Sequence, residues 1–196
     1  MASPVSAADV STYSFNSGMN CNAAYPLPDT GQSASYTATF GEDHDYAPAG
    51  SQMSYTMYSV GTASYTVDNR TGLVWVTNPS DVCAGCAGGY VSSGTYAWEN
   101  ALTACEGLIY AGFSDWRLPN VRELMSIVDY GVTSDPRINT AYFLNTASYY
   151  YWTSTTYALA STGGWYVYFI AGRVDYANKS NNFYVRCVRG GPYPEI

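Results

Sequence analysis

The chain has 196 residues, of which 47% are hydrophobic and only 12% charged, so it can form one globular domain with a real core. Eight Lys and Arg stand against fifteen Asp and Glu, and the only lysine is Lys179. Nucleic acid and anionic membrane surfaces require clustered basic residues, and we expect neither as a partner. The longest apolar runs fall far short of the ~20 residues that span a bilayer, so no membrane insertion is expected.

The chain is rich in tyrosine and poor in charged residues. The chain has 21 tyrosines, together with abundant Ser, Thr, Asn and Gly. Antibody binding loops use the same mixture, because Tyr supplies large contact area at low entropic cost while small polar residues supply adaptable hydrogen bonds. The composition therefore favours an amphipathic binding surface over an ionic one.

The first third of the chain predicts a polar lead-in followed by short strands. Residues 1–24 form the polar lead-in, and within them Met1–Val10 contains neither the charged nor the apolar region of a secretion signal, so no signal peptide is readable. Alternating Tyr, Thr and Ser at Ala34–Phe40 and Tyr55–Tyr58 predict half-exposed strands. A turn then leads into a predicted strand at Leu73–Val76.

Two amphipathic helices follow. The first has one apolar stripe, with Thr95 as the expected N-cap and Gly112 as the expected end. Its members are Trp98, Ala101, Leu102, Cys105, Leu108 and Ile109. The second begins with a capping box formed by Asn120 and Glu123, and Gly131 is expected to close it.

The last third returns to strands, and the order strands, helices, strands predicts an α+β fold. The predicted strands are Tyr149–Ser154, Trp165–Ile170, Arg173–Tyr176 and Phe183–Val188. The apolar residues expected to form the core of their sheet are Trp152, Trp165, Phe169, Phe183, Val185 and Val188.

Several motifs in a fixed order resemble the family of the C-terminal domain of the Legionella collagen-like adhesin. They are Tyr25–Gln32, Asp68–Trp75, Phe113–Asn120, Glu123-Leu124, Tyr151–Thr155 and Tyr184–Gly190. The resemblance implies a C-type lectin-like fold, with two helices packed on a small twisted antiparallel sheet with long loops. It also implies a single ligand-binding domain over residues 25–191, followed by a tail at 192–196, on a virion or cell surface.

Residues 149–189 also resemble the variable region of proteins diversified by retroelements. These are C-type lectin-like proteins whose codons change at template adenines, and the stretch is rich in the expected Tyr, Ser, Thr, Asn and Ala. This resemblance implies a non-enzymatic receptor-binding protein with varied protein ligands. Two alternatives remain open: a carbohydrate- or glycosaminoglycan-binding adhesin without diversification, and a cysteine-dependent enzyme related to the formylglycine-generating enzymes.

The predicted ligand-binding residues alternate with the buried aromatic residues of this region. Tyr166, Tyr168 and Ile170, for example, share a parity that Val167 and Phe169 do not. We expect the whole set to cluster on one solvent-facing surface that contacts a protein or glycan on a cell surface. Its members are Tyr149, Tyr151, Thr156, Tyr157, Leu159, Tyr166, Tyr168, Ile170, Arg173, Asp175, Tyr176, Asn178 and Asn182.

Two of the five cysteines are expected to meet although they are far apart in sequence. Cys105 on the first helix and Cys187 in the last strand are expected to form a disulfide or to pack in contact. Cys83 and Cys86 have the spacing of half a zinc site, but a local disulfide or free thiols fit a glycine-rich loop as well. Cys21 is left over.

No cofactor and no catalytic residue are predicted. Glu42–Asp45 supplies fewer ligands than the 6 to 8 oxygens that calcium takes, although a calcium site stays open as an alternative. One histidine, His44, gives little support for nucleophilic catalysis.

Four charged residues near the second helix and the last strand are predicted to be structural. Asp115 and Arg117 are expected to pair with each other. Arg186 and Arg189, which flank Cys187, are expected to have a buried carboxylate partner.

Overall fold

The computed structural model describes residues 29–46, 53–79 and 94–190. The fold is α+β, as predicted, with short helices and antiparallel strands. In chain order the elements are α1 (Asp43–Tyr46), β1 (Tyr55–Val60), β2 (Ala63–Asp68), β3 (Val74–Val76), α2 (Trp98–Glu106), α3 (Val121–Met125), β4 (Tyr150–Thr156), β5 (Gly163–Tyr168), β6 (Arg173–Asn178) and β7 (Val188–Arg189). No helix in these ranges is both long and apolar enough to cross a membrane.

The strands form two small sheets, where the sequence predicted one. The first has the order β1-β2-β3-β7 and the second the order β4-β5-β6. Trp75 of β3 pairs with Val188 of β7, so the first sheet joins the beginning and the end of the domain. Such long-range pairing leaves no local sequence signal, and the expected strand Phe183–Val188 is reduced to isolated bridges and the two residues of β7.

The second sheet separates two hydrophobic clusters. Trp152 and Tyr166 point into one cluster, which also contains α2. Tyr151 and Val167 point into the other, which contains residues of α3 and of the first sheet. Successive strand residues face opposite sides, so the sheet contributes residues to both cores.

The helices are shorter than predicted. The Asn120–Glu123 capping box is present, but α3 ends at Ser126 and does not reach Gly131. Helix α2 has Ala97 as its N-cap without any side-chain cap, so the prediction of Thr95 is wrong. A tertiary bond takes over part of this role, because the Trp98 N–H donates to the Lys179 carbonyl at 2.9 Å. The predicted strand at Ala34–Phe40 is irregular chain.

Cys105 of α2 and Cys187 form a disulfide with a Cα–Cα distance of 5.5 Å. Both cysteines are completely buried. The bridge thus fastens α2 to the segment that leads into β7, as expected from the sequence.

Of the charged residues expected to be structural, Asp115, Arg117 and Arg189 form ion pairs, although not all with the expected partners. Arg189 has a carboxylate partner, as expected, but this partner, Asp115, is 42% exposed and not buried. Asp115 pairs with Arg189 at 2.6 Å, and Arg117 pairs with Glu123 at 2.7 Å, so the predicted Asp115–Arg117 pair is wrong. Glu123 lies in α3 beside Arg117, and Arg189 lies in β7 beside Asp115.

Arg186 is completely buried. Its guanidinium donates to the carbonyls of Val76 at 2.6 Å and Thr77 at 2.7 Å, and to the Thr146 hydroxyl at 2.7 Å. A fourth bond, at 3.2 Å, reaches the Leu144 carbonyl. Arg186 therefore joins the loop after β3 to the loop before β4.

Candidate functional site

One side of the β4-β5-β6 sheet presents a group of tyrosines beside an arginine and an aspartate. The register places Tyr150 opposite Tyr168, and Tyr168 opposite Arg173. The neighbouring row runs from Trp152 through Tyr166 to Asp175. Residues in register share a face. We call this surface the tyrosine face and define it as Tyr150, Tyr166, Tyr168, Arg173 and Asp175.

Ring packing holds the tyrosine face in place. The Tyr150 ring centroid lies 4.8 Å from that of Tyr166 and 4.6 Å from that of Tyr168. The Arg173 guanidinium lies 5.7 Å from the Tyr168 centroid, within the range of a cation–π contact. Burial, with a further contribution from Asp175, raises the pKa of Tyr166, which stays a neutral phenol at ordinary pH. The face is therefore a preordered aromatic surface with its charges on β6.

Strand β6 is an outer strand of this sheet. Asp175 shapes its backbone, because its Oδ1 accepts a hydrogen bond of 2.8 Å from the N–H of Tyr176. The neighbouring Asn178 has a similar local role, since its side-chain oxygen accepts from the Ser180 N–H at 3.0 Å. Both side chains thus have structural bonds besides the role predicted for them.

Two of the predicted ligand-binding residues are buried, which corrects the expectation of exposure. Tyr151 is 1% exposed because it points into the α3 cluster, where its hydroxyl accepts from the Ala147 N–H at 2.7 Å. Tyr166 is 8% exposed because it packs against Trp152 and Phe183. Tyr166 therefore forms the base of the tyrosine face.

The expectation of a single surface is also wrong, because Tyr176 and Asn178 face the side of the sheet opposite Arg173 and Asp175. The strand period of two requires this separation, which the sequence analysis overlooked. Tyr176 stacks on Tyr157 with ring centroids 3.9 Å apart, and Trp165 packs edge-on against Tyr157 at 5.5 Å. We call Tyr157, Trp165 and Tyr176 the aromatic corner.

Thr156, Leu159 and Ile170 are among the predicted residues that lie outside both groups. Thr156 accepts a hydrogen bond of 2.9 Å from Lys179 Nζ, which also lies over the Trp98 ring. Leu159, 86% exposed, lies in the loop between β4 and β5. Ile170 is half-buried in the turn between β5 and β6.

The last two predicted residues, Tyr149 and Asn182, lie at an open hollow of about 430 Å³ beside the tyrosine face. The hollow is lined by Thr95, Ala147, Ser148, Tyr149, Asn182 and Tyr184. The Tyr149 ring contacts Tyr150, with centroids 4.5 Å apart, so the hollow and the tyrosine face are contiguous.

Sequence reasoning missed Thr95, Ser148, Tyr150 and Tyr184. Tyr150 has the parity of Trp152 and could have been identified from the strand period. Tyr184 and Thr95 meet at the hollow because the chain forms an antiparallel bridge between Tyr96 and Phe183. That bridge joins distant segments and has no local signature.

No group of residues suited to a metal ion occurs within the described ranges. In the Glu42–Asp45 segment, the Asp45 carboxylate accepts from the backbone N–H groups of Gly41 and Glu42. The Glu42 carboxylate accepts from the Tyr36 N–H. These carboxylates thus hold the nearby backbone. Cys21, Cys83 and Cys86 lie outside the described residues, as do the predicted lead-in and tail.

Comparison with known proteins gives one family. The model described as the Lcl C-terminal domain matches residues 64–189, which is more than half of the chain. The match covers both sheets except β1, and it includes the tyrosine face and the aromatic corner. No curated protein matches the chain.

Proposed function

The chain belongs to the Lcl C-terminal domain family, and we propose that it is a non-enzymatic, adhesin-like domain that binds protein ligands outside the cell. The family suggests an adhesin-like or binding role. The proposal also includes a C-type lectin-like ancestry for the domain and a location on a virion or cell surface.

The tyrosine face is the observation that carries this proposal. Tyr150 and Tyr168 are partly exposed, packed rings, and Arg173 beside them is exposed. Tyr and Arg are enriched at the centres of protein interfaces, where rigid rings contribute contact area at little entropic cost. A face of this composition fits a protein ligand.

The proposal extends to diversification of residues 149–189. Trp152 and Phe169 are completely buried, so they hold the sheet while neighbouring exposed side chains change. Exposed substitutions usually change stability by no more than about 0.5 kcal/mol. The surrounding DNA tests this part directly. A reverse transcriptase gene and a near-copy of these codons that differs only at adenines are expected, and a locus without either contradicts diversification.

Binding of the labelled protein to intact microbial cells, before and after protease treatment of the cells, tests the ligand class. We expect protease to abolish binding and Tyr168→Ala to weaken it about tenfold, a cost of about 1.4 kcal/mol. Tyr176→Ala, in the aromatic corner, is the matched control and should leave binding within about twofold. Protease-resistant binding that Tyr168→Ala weakens, or equal losses in the two variants, contradicts the proposal.

A further inference from the structure

We infer that the hollow beside the tyrosine face binds one neutral sugar unit of a glycan, through side chains alone. The hollow is defined by the residues listed above, and its volume of about 430 Å³ is within the ~300–1,000 Å³ typical of small-molecule sites. This inference does not depend on the protein ligand proposed for the tyrosine face.

The lining matches a ligand with many hydroxyl groups and no charge. Thr95 and Ser148 contribute exposed hydroxyl groups, each of which can donate and accept. The exposed Asn182 side chain contributes an amide that donates through nitrogen and accepts through oxygen. Each hydroxyl of a sugar ring can likewise donate and accept, so a site with neutral donors and acceptors suits it.

The exposed ring of Tyr149 forms one side of the hollow and can contact a sugar ring. Tyr149 is 45% exposed, and its ring meets those of Tyr184 and Phe183 edge to face, at 6.1 and 6.5 Å between centroids. These contacts fix the ring before any ligand arrives. A sugar ring has a face of polarised C–H groups, which the negative face of an aromatic ring attracts.

An extended peptide fits the hollow poorly, because the nearby main chain is already paired. The Tyr184 N–H donates to the Tyr150 carbonyl, and the Tyr184 carbonyl accepts from Trp152. Phe183 exchanges both of its backbone bonds with Tyr96. Peptides that add to a sheet need an open strand edge, and these segments do not offer one.

Charged ligands fit poorly as well. None of the six lining residues is basic, so the hollow offers no cationic partner for a sulfate or carboxylate group. None of them is acidic either, and a sugar held through a bridging calcium ion would need carboxylate ligands. The lining thus favours a neutral sugar bound directly.

Saturation-transfer NMR of the whole chain with methyl glycosides tests this inference. The probes are neutral hexoses, deoxyhexoses and N-acetylhexosamines, with glucuronic acid, a sulfated hexose and a short uncharged peptide for comparison. We expect transfer to at least one neutral glycoside, and about a tenfold loss of affinity in Tyr149→Ala and in Asn182→Ala, or about 1.4 kcal/mol. Both side chains are exposed, and unchanged thermal melting of the variants shows that they still fold.

Tyr176→Ala and Tyr168→Ala are the matched controls. Both should keep the affinity for the glycoside, although Tyr168→Ala is expected to lose the protein ligand of the tyrosine face, so the two proposals can fail separately. Transfer to no neutral glycoside, stronger binding of an anionic sugar or of the peptide, or full affinity in Tyr149→Ala each overturns the inference.

Discussion

Cys105 and Cys187 are bonded across 82 positions of sequence, and both lie in the core that contains α2. In the chain-entropy model, a loop of this length stabilises the fold by about 4 kcal/mol, because the bond restricts the unfolded chain. We expect the double variant Cys105→Ala/Cys187→Ala to lose about 2–5 kcal/mol of unfolding free energy, measured by urea denaturation.

Reductant provides the control for this prediction. The wild-type midpoint should fall when the protein is unfolded and refolded in dithiothreitol, whereas the midpoint of the double variant should not move further. Equal wild-type midpoints with and without reductant would show that the bond contributes nothing.

Local features of this fold could be predicted from the sequence, whereas the meeting of distant segments could not. The Asn120–Glu123 box depends on residues three apart, and it is present as predicted. The start of α2 was wrong because its first N–H donates to Lys179, which is remote in sequence. The pairing of β3 with β7 was missed for the same reason.

The candidate site was predicted in composition but not in arrangement. The tyrosine-rich stretch is where the sequence indicated, yet its residues divide between two sides of one sheet. Tyr151 and Tyr166 are buried because the sheet packs against a core on each side. An amphipathic tyrosine fits a core and a surface equally well, so composition alone could not separate these positions.

Replacing Arg186 should be severely destabilising. Arg186→Met keeps much of the side-chain length but leaves the carbonyls of Val76 and Thr77 without their donors in a buried site. Each buried unsatisfied group costs about 1–3 kcal/mol, so we expect the two carbonyls together to cost about 2–6 kcal/mol by urea denaturation. Arg173→Met is the matched control, since Arg173 is exposed, and it should change stability by less than about 0.5 kcal/mol. Similar losses in both variants would contradict the role assigned to Arg186.

Alanine substitutions at Gly172 and Gly61 distinguish the stability cost of backbone strain from the cost of steric contact. Both have positive φ, 63° and 62°, but only Gly172 has neighbours that a Cβ would reach, at 2.6 Å from Tyr130 Cε1 and 2.7 Å from Val128 Cγ1. Gly61→Ala should cost about 1–2 kcal/mol for the left-handed backbone alone. Gly172→Ala should cost about 1–3 kcal/mol more, because the turn between β5 and β6 must move. Thermal melting of both variants measures these costs. Equal costs would contradict a steric contribution at Gly172.

The pH dependence of stability should have opposite signs at Asp129 and Asp115. Burial raises the pKa of Asp129, so the folded state binds its proton more tightly than the unfolded chain. This residue therefore lowers stability as pH rises above the ordinary Asp value near 4, until it is ionised in both states. We expect Asp129→Asn to gain stability relative to wild type between pH 4 and pH 7, measured by urea denaturation at each pH.

Asp115 provides the matched comparison. The hydrogen bond from Arg189 holds the pKa of Asp115 below its ordinary value. Its stabilising effect is present above the ordinary Asp pKa and is lost as pH falls through the lower folded value. Asp115→Asn should therefore lose stability relative to wild type as pH rises from 3 to 7. The assignments are wrong if both variants change in the same direction.

The bond between Asp175 and the N–H of Tyr176 has a consequence for self-association. An outer strand has unpaired backbone groups on which a second chain can pair, and such pairing leads to fibres. Asp175 occupies one backbone donor of β6 and adds a negative charge on a chain whose net charge is already −7. Both features oppose edge-to-edge pairing between the β6 strands of two copies of the chain.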